Sequence, residues 1–476
     1  MSDFIDFLNS IVWSQWLIYL CLGVGLYFTV ITRFLQIRYL PDMPKLLFGG
    51  KATKKGVSPF QAFSMAVSGR VGTGNIAGVA TAIAMGGPGA IFWMWVIAFV
   101  GSGSAFVEAT LAQIYKEEKD GQYRGGPAYY IEKGMKAKWY AVLFAIATII
   151  GTGLCLPGIQ ANSIGIAVER AFSVDPLVTG SVVVVLMGII IFGGIKRISR
   201  AAELIVPFMA MGYILIAIVV IVLHLQDIPA VFALILKSAF ALEPAFGGVL
   251  GMAISWGIKR GIYSNEAGQG TAPMAAAAAE VKHPVQQGLV QAFSVYFDTW
   301  FVCSATALMI LVTQSYNVVS PEGGFIVEHL PGIAEGPLFT QSAVDVVFPG
   351  FGSAFVALAL FFFAFTTMMA YYFYTENNIA YLIPSNPKLR QTVFAVIKVS
   401  FLGVVLFGAV REASLAWALG DLGVGIMAWL NIIAIVILTR PAMRCLKDFE
   451  TQRTQGKDPE FRGDEAGIQR AEFWSK

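Results

Sequence analysis

Apolar residues run along the chain in long blocks separated by short charged segments. An apolar stretch of about 20 residues crosses the roughly 30 Å hydrocarbon core as a helix. By that measure eleven spans fall near residues 11–33, 58–86, 89–115, 139–169, 177–194, 202–224, 245–279, 287–314, 351–383, 391–410 and 413–439. Residues 228–243 are too short to span and carry Lys237 and Glu243, which places them as an interfacial helix. The pattern predicts an all-α polytopic membrane protein.

A second pattern lies inside the spans. Residues 70–82 read RVGTGNIAGVATA and residues 260–272 read RGIYSNEAGQGTA. They match at Arg70/Arg260, Asn75/Asn265, Ala77/Ala267, Gly78/Gly268, Thr81/Thr271 and Ala82/Ala272. The segments belong to the second and seventh spans, five helices apart, so the two run in opposite directions. This is the trace of an inverted-topology repeat, in which paired discontinuous helices build a site at the midplane. Close packing through small residues also gathers Gly and Ala, but does not readily supply the paired Arg and Asn. The expected organisation is an extra helix with a basic loop (1–57), a first five-helix repeat (58–224), an outside interfacial helix (225–244), a second five-helix repeat (245–440) and a basic tail (441–476).

Charge sets the orientation. With the N-terminus outside, the inside segments 33–57, 116–138, 195–200, 280–286, 384–390 and 440–476 hold 26 of the 33 Lys and Arg. The longest outside loop, 315–350, carries four acidic residues and no Lys or Arg. By the positive-inside rule the N-terminus is out and the tail is cytoplasmic. The opening MSDFIDFLNS has no basic n-region, so the first span is expected to be retained rather than cleaved.

Composition agrees. The chain is 57% hydrophobic and 13% charged, where a soluble domain carries roughly a quarter charged residues. The net charge of +3 gives no reason to expect nucleic acid. Cys21, Cys155, Cys303 and Cys445 are scattered, without metal-ligand spacing or the density of a disulfide scaffold.

Glycine costs about 1 kcal/mol relative to alanine inside a helix, so Gly69, Gly72, Gly74 and Gly78 make unwinding plausible in the second span. Unwound backbone in a membrane needs protein, water or ligand to satisfy it. Freed amides at a half-helix N-terminus attract an anion, and freed carbonyls can replace the water shell of a small cation. A zwitterionic substrate with a co-transported cation suits the two ends of such a break. The expected site lies where the breaks around Gly72–Gly78 and Gly261–Gly270 meet. Alanines around the breaks, including Ala275–Ala279, leave little sign of a large pocket.

The run GTGNIAGVATAIAMGGPGAIFWMWV, with IKRGIYSNEAGQGTAPMAAAAA and GGPAYYIEKGM, resembles the alanine/glycine:cation symporter family, from about residue 10 to 445. The resemblance implies a leucine-transporter-like fold of ten core helices in two inverted fives, preceded here by one extra helix. It also implies uptake of alanine or glycine with sodium, or occasionally protons, across a bacterial or archaeal plasma membrane. The transport unit is expected to be monomeric, without a cofactor beyond the coupling ion.

By that resemblance the Thr73 and Gly74 amides would hold the substrate carboxylate, and the carbonyls of Ser68 and Val71 would face sodium. Asn75 would turn its side-chain oxygen to cation or amine, or else cap the break. Tyr263, Ser264 and Asn265 are expected in the second break, Ser264 and Asn265 on the amine and carboxylate, Tyr263 as a gate. Thr366 and Thr367 would add hydroxyls to the sodium site, since a hard cation prefers oxygen, or would bond back to their own helix. Gln160 is an amide in an apolar span and needs partners, either substrate or a neighbouring helix.

Ionisable residues in the spans are costly at mid-bilayer. The set is Arg70, Glu108, Lys259, Arg260, Glu266, Asp298, Glu376 and Lys398. Arg70 and Arg260 adjoin the breaks and are expected to gate by pairing with Glu108, Glu266, Asp298 or Glu376. Lys398 and Glu376 are the best placed to reach an interface instead. Three further readings differ: a proton-coupled carrier or exchanger using Glu108, Glu266 or Asp298, a channel, and a membrane-embedded enzyme. An enzyme would want metal ligands or an activated nucleophile beside a base, and His224, His283 and His329 lie near loops without ligand spacing.

Overall fold

The computed structural model describes residues 2–53, 55–383 and 387–475. Among these, eight helices are long and apolar enough to cross a membrane: Phe4–Ile31, Gly89–Ile114, Lys138–Phe172, Ile195–Leu223, Pro284–Val312, Gly352–Leu382, Lys388–Ala409 and Ala413–Ile437. Each coincides with an expected span. The other three expected spans are short or interrupted. Residues 177–194 correspond to the helix Pro176–Ile191. The span 58–86 divides into Pro59–Arg70, a π-helical turn Gly74–Gly78 and Val79–Gly86. The span 245–279 divides into Leu250–Asn265 and Ala272–Ala277.

The outer helices are apolar all round, as lipid on one side and protein on the other require. Ile195–Leu223 exposes Leu204, Phe208, Met211 and Leu215 while burying Ile198, Val206, Met209 and Tyr213. This helix also takes in the basic residues 195–200, expected as a loop. The two broken helices lie inside. Leu250–Asn265 packs on Gly89–Ile114, and Pro59–Arg70 packs on Ile195–Leu223 and Gly352–Leu382. Gly257 lets the first pair close, since a Cβ there would meet the backbone of Ala90.

The basic segments share one face of the molecule. Arg33 pairs with Glu450, Lys55 with Glu118, and Tyr123 hydrogen-bonds Glu280. The tail is structured there: a helix Thr439–Thr454, then a return that buries Phe461, Ile468 and Trp474. Trp474 Nε1 donates to the Gln113 carbonyl at 2.8 Å. Lys116, fully buried, donates to the Ala279 carbonyl at 3.0 Å and stands 4.4–4.9 Å from the ring centres of Tyr123, Phe473 and Trp474. Other connections form the short helix Ile228–Ala239, a hairpin of Asn317–Val319 with Phe325–Glu328, and the helix Pro337–Val347.

Candidate functional site

The first broken helix starts on a capping box. Ser58 Oγ accepts from Gln61 N, and Gln61 Oε1 accepts from Ser58 N, so two end amides are satisfied. It stops at Arg70. Val71 N still donates to Val67 O at 2.7 Å, but Gly72 N turns away and donates to Asn75 Oδ1 at 2.8 Å. In an unbroken helix Gly72 N would have bonded the Ser68 carbonyl, which is thereby released. The break is narrower than Gly72–Gly78: only Val71 and Gly72 leave the helix, and Gly74–Gly78 rewinds as a π turn. The Asn75 oxygen serves as the cap within the break.

The second break lies later than expected. Tyr263, Ser264 and Asn265 form the last turn of the helix Leu250–Asn265, and the unwound backbone is residues 266–271. Left-handed backbone marks it, with φ of +53° at Glu266, +82° at Gly268 and +88° at Gly270. Glycine adopts that region freely, and Pro273 suits the first turn of the helix that follows. Protein groups satisfy the exposed backbone, as membrane depth demands. Asn265 Oδ1 accepts from Ala267 N at 3.0 Å, Glu108 Oε1 accepts from Gly268 N at 3.1 Å, and Asn431 Nδ2 donates to Gly268 O at 2.9 Å.

The two helices meet at Gly74 and Ser264. A Cβ on Gly74 would lie 3.2 Å from Ser264 Cα and 3.2 Å from the Tyr263 ring. Asp298, in the π-helical segment Phe297–Cys303, ties both together. Its Oδ1 accepts from Asn75 Nδ2 at 2.6 Å, and its Oδ2 accepts from Ser264 Oγ at 2.9 Å and Thr299 Oγ1 at 2.8 Å. A fully buried carboxylate is thus held by one residue from each broken helix. Asn265 faces the same segment, its Nδ2 3.4 Å from Thr299 Oγ1.

Gln160 closes the other side of the first break. Its Oε1 accepts from Thr73 N at 3.1 Å and from Thr73 Oγ1 at 2.6 Å. A carbonyl oxygen therefore occupies the place a carboxylate oxygen would take at that amide. Thr367 Oγ1 lies 3.3 Å from the Val71 carbonyl oxygen and 2.9 Å from that of Phe363, so the Val71–Thr367 half of the expected cation site is brought together. Thr366 is turned away: its hydroxyl bonds Phe362 O and Phe363 O, each at 3.0 Å, and faces Met209 Sδ. That is the back-bonding open to a membrane threonine.

The charges pair differently from expectation. Arg260 takes Asp421, with Nη1 2.9 Å from Oδ1 and Nη2 3.2 Å from Oδ2, and Lys259 Nζ reaches Oδ2 at 2.7 Å. Its guanidinium also lies 4.4 Å from the Trp417 ring centre and 5.6 Å from that of Tyr263. Asp421 escaped the sequence reading, although a lone aspartate in an apolar span is a signal for it. Arg70 pairs with no carboxylate among the described residues; its Nη1 donates to the Gln291 carbonyl and the Ser294 hydroxyl. Glu376 pairs with Arg124 at 3.2 Å near the basic face. Lys398 sits 5.0 Å from the Phe192 ring centre.

Paired broken helices around a buried polar site are a known transporter feature, and a solved structure shares the fold. The structure of MhsT in complex with L-phenylalanine superposes with a TM-score of 0.54 at 15% identity, over 80% of this chain and 89% of that one. The fold is leucine-transporter-like. The family model of the sodium:alanine symporter family matches residues 1–463, and the chain belongs to that family. YrbD of Bacillus subtilis (strain 168), a proposed sodium/proton-dependent alanine carrier protein, is 61% identical, over 100% of this chain and 98% of its own. The sodium/proton-dependent alanine carrier protein of Bacillus sp. (strain PS3) is 52% identical, over 91% and 97%. The protein is a transporter, not an enzyme.

Proposed function

We propose that the chain is a secondary active symporter importing a small neutral amino acid, alanine or glycine, with sodium by alternating access. Its transport unit is a monomer of eleven spans, one extra helix followed by two inverted five-helix units, with the N-terminus outside a bacterial or archaeal plasma membrane. The contact of Gln160 Oε1 with both Thr73 N and Thr73 Oγ1 carries this reading. It marks an oxygen-accepting position at the break, 3.0 Å from where a Cβ on Gly72 would stand. A substrate carboxylate there takes the Thr73 and Gly74 amides, while Gln160 yields its oxygen position. Asn75, Ser264 and Asn265 then face the amine, and Tyr263 closes the chamber with Trp417, 5.1 Å away between ring centres.

Sodium takes the Val71 carbonyl and Thr367 hydroxyl, with the Ser68 carbonyl released by the turn at Gly72. Thr366 stands outside this set. The close approach of Gly74 to Ser264 and of Gly72 to Gln160 leaves room for a short side chain only, which favours alanine or glycine. Arg260, locked to Asp421, gates one side of the crossing, and Arg70 stands on the other.

A proton-coupled carrier is the second reading, favoured by Asp298: a buried carboxylate bonded to both broken helices is placed to couple a proton to their movement. Uptake of an amino-acid panel into proteoliposomes, driven separately by sodium and proton gradients, decides between them. Alanine accumulation under sodium alone supports the first reading. Accumulation under the proton gradient alone supports the second.

A further inference from the structure

Beside the crossing lies a group of buried polar atoms short of partners. Glu266 has the Thr271 hydroxyl and the Arg70 charge within reach, with no close hydrogen bond to either carboxyl oxygen. Arg70 Nε and Nη2, the Tyr374 hydroxyl and both side-chain polar atoms of Gln269 have no hydrogen-bond partner among the described residues. All five residues are at most 1% exposed. Buried polar groups are almost always paired, and an unpaired buried charge is costly. Such a group is suited to a polar occupant. Glu266 Oε2 and the Tyr374 hydroxyl converge on the bare Cα of Gly69, where a Cβ would meet them at 3.1 and 2.6 Å. Arg70 is the next residue.

The position follows from helix geometry. Tyr374 comes seven residues after Thr367, so it lies on the same helix face about 10 Å further along. Tyr371 and Asn378 continue that face at helical spacing. The helix runs from Thr367 toward the basic face, where the Ala380 carbonyl accepts from Lys119 and Glu376 pairs with Arg124. A polar stripe thus leads from the expected cation site to the side bearing the tail.

The chemistry of the occupant follows from the two charges. A sodium ion would satisfy Glu266 but be repelled by Arg70, and an anion would do the reverse. A zwitterion satisfies both, its carboxylate on the Arg70 guanidinium and its ammonium on Glu266. We infer that Arg70, Glu266 and Tyr374 form a second station for a zwitterionic α-amino acid, between the crossing of the broken helices and the basic face. The inference rests on the reading of the chain as an amino-acid symporter. It goes further in giving the substrate a binding place after it leaves the crossing.

Equilibrium binding of radiolabelled L-alanine to the purified full-length protein in sodium tests this. The wild type is expected to bind two alanines per chain at saturation, and Glu266→Gln one. Tyr374→Phe keeps the volume of the side chain and is expected to weaken the second site about tenfold, as loss of a hydrogen bond to a charged group does. A wild type that saturates at one alanine overturns the station while leaving the symporter reading intact. Two sites of unchanged affinity in Tyr374→Phe or Glu266→Gln also overturn it. No bound alanine at all overturns the symporter reading along with it.

Discussion

Arg260 and Asp421 face each other as a two-pronged ion pair, Nη1 to Oδ1 at 2.9 Å and Nη2 to Oδ2 at 3.2 Å. Both are almost wholly buried, and Lys259 shares the same carboxylate. The pair fastens the helix Leu250–Asn265 to the helix Ala413–Ile437 one turn before Ser264 enters the site. Removing one partner leaves an uncompensated buried charge, at a cost of about 3–5 kcal/mol. Asp421→Asn is therefore expected to lower the thermal midpoint in detergent and to reduce uptake. Replacing Lys259, Arg260 and Asp421 together by apolar residues is expected to recover most of the midpoint without recovering transport. Equal loss of stability in the single and triple variants would show that the buried charges are not the reason.

Gln160→Glu places a negative charge on the oxygen that Thr73 N and Oγ1 hold. A substrate carboxylate docking at the same amide then meets a like charge, a penalty of several kcal/mol. The expected effect on KM for alanine uptake is a rise of about a hundredfold, with insertion unaffected. Kinetics of uptake against a surface-labelling control check it. An unchanged KM would move the carboxylate site away from Thr73.

Thr367 and Thr366 are adjacent in sequence and face opposite ways. Only Thr367 faces the Val71 carbonyl; Thr366 faces Met209. Thr367→Ala is expected to raise the sodium concentration for half-maximal uptake about tenfold, the scale of one lost contact to a charged group. Thr366→Ala is expected to leave it unchanged. The reverse result would relocate the cation site.

Much of this was legible in the sequence, and the misses have physical causes. Gly72 and its neighbours announced the first break because glycine is costly in a helix with nothing to unwind for. The second break falls after Tyr263–Asn265, because the repeat's matched Arg260 and Asn265 both lie in the helix that precedes the unwound backbone. Gly268 and Gly270, both at positive φ, and Pro273 at the next helix start mark where the chain unwinds. The Thr366–Thr367 pair could not be resolved from sequence, since only the rotation of the helix about its axis decides which hydroxyl looks inward. The tail was expected as a charged extension. Its apolar residues Phe461, Ile468 and Trp474 are too widely spaced to form a periodic pattern, yet they bury together once the chain returns over Lys116.

That return gives stability a pH dependence. Burial pushes Lys116 down to about 7, against the opposing pull of Glu280. The folded protein thus gives up this proton more readily than the unfolded chain, whose lysine keeps its usual value near 10.4. Between pH of about 7 and about 10 the unfolded state binds more protons, so stability rises with pH across that window. Thermal midpoints of the wild type are expected to rise from pH 7 to pH 9, and those of Lys116→Met to rise less. Parallel curves for the two proteins would contradict it.

If substrate is held where the two broken helices cross at Gly74 and Ser264, bulk at Gly74 must stop transport. Sodium-driven uptake of radiolabelled alanine by proteoliposomes, comparing wild type with Gly74→Leu, tests it most directly. A Cβ at Gly74 already stands 3.2 Å from Ser264 Cα, so a leucine forces the helices apart or fills the chamber. Gly74→Leu is expected to insert and fold but to accumulate no alanine. Accumulation at the wild-type rate by Gly74→Leu would place the site elsewhere.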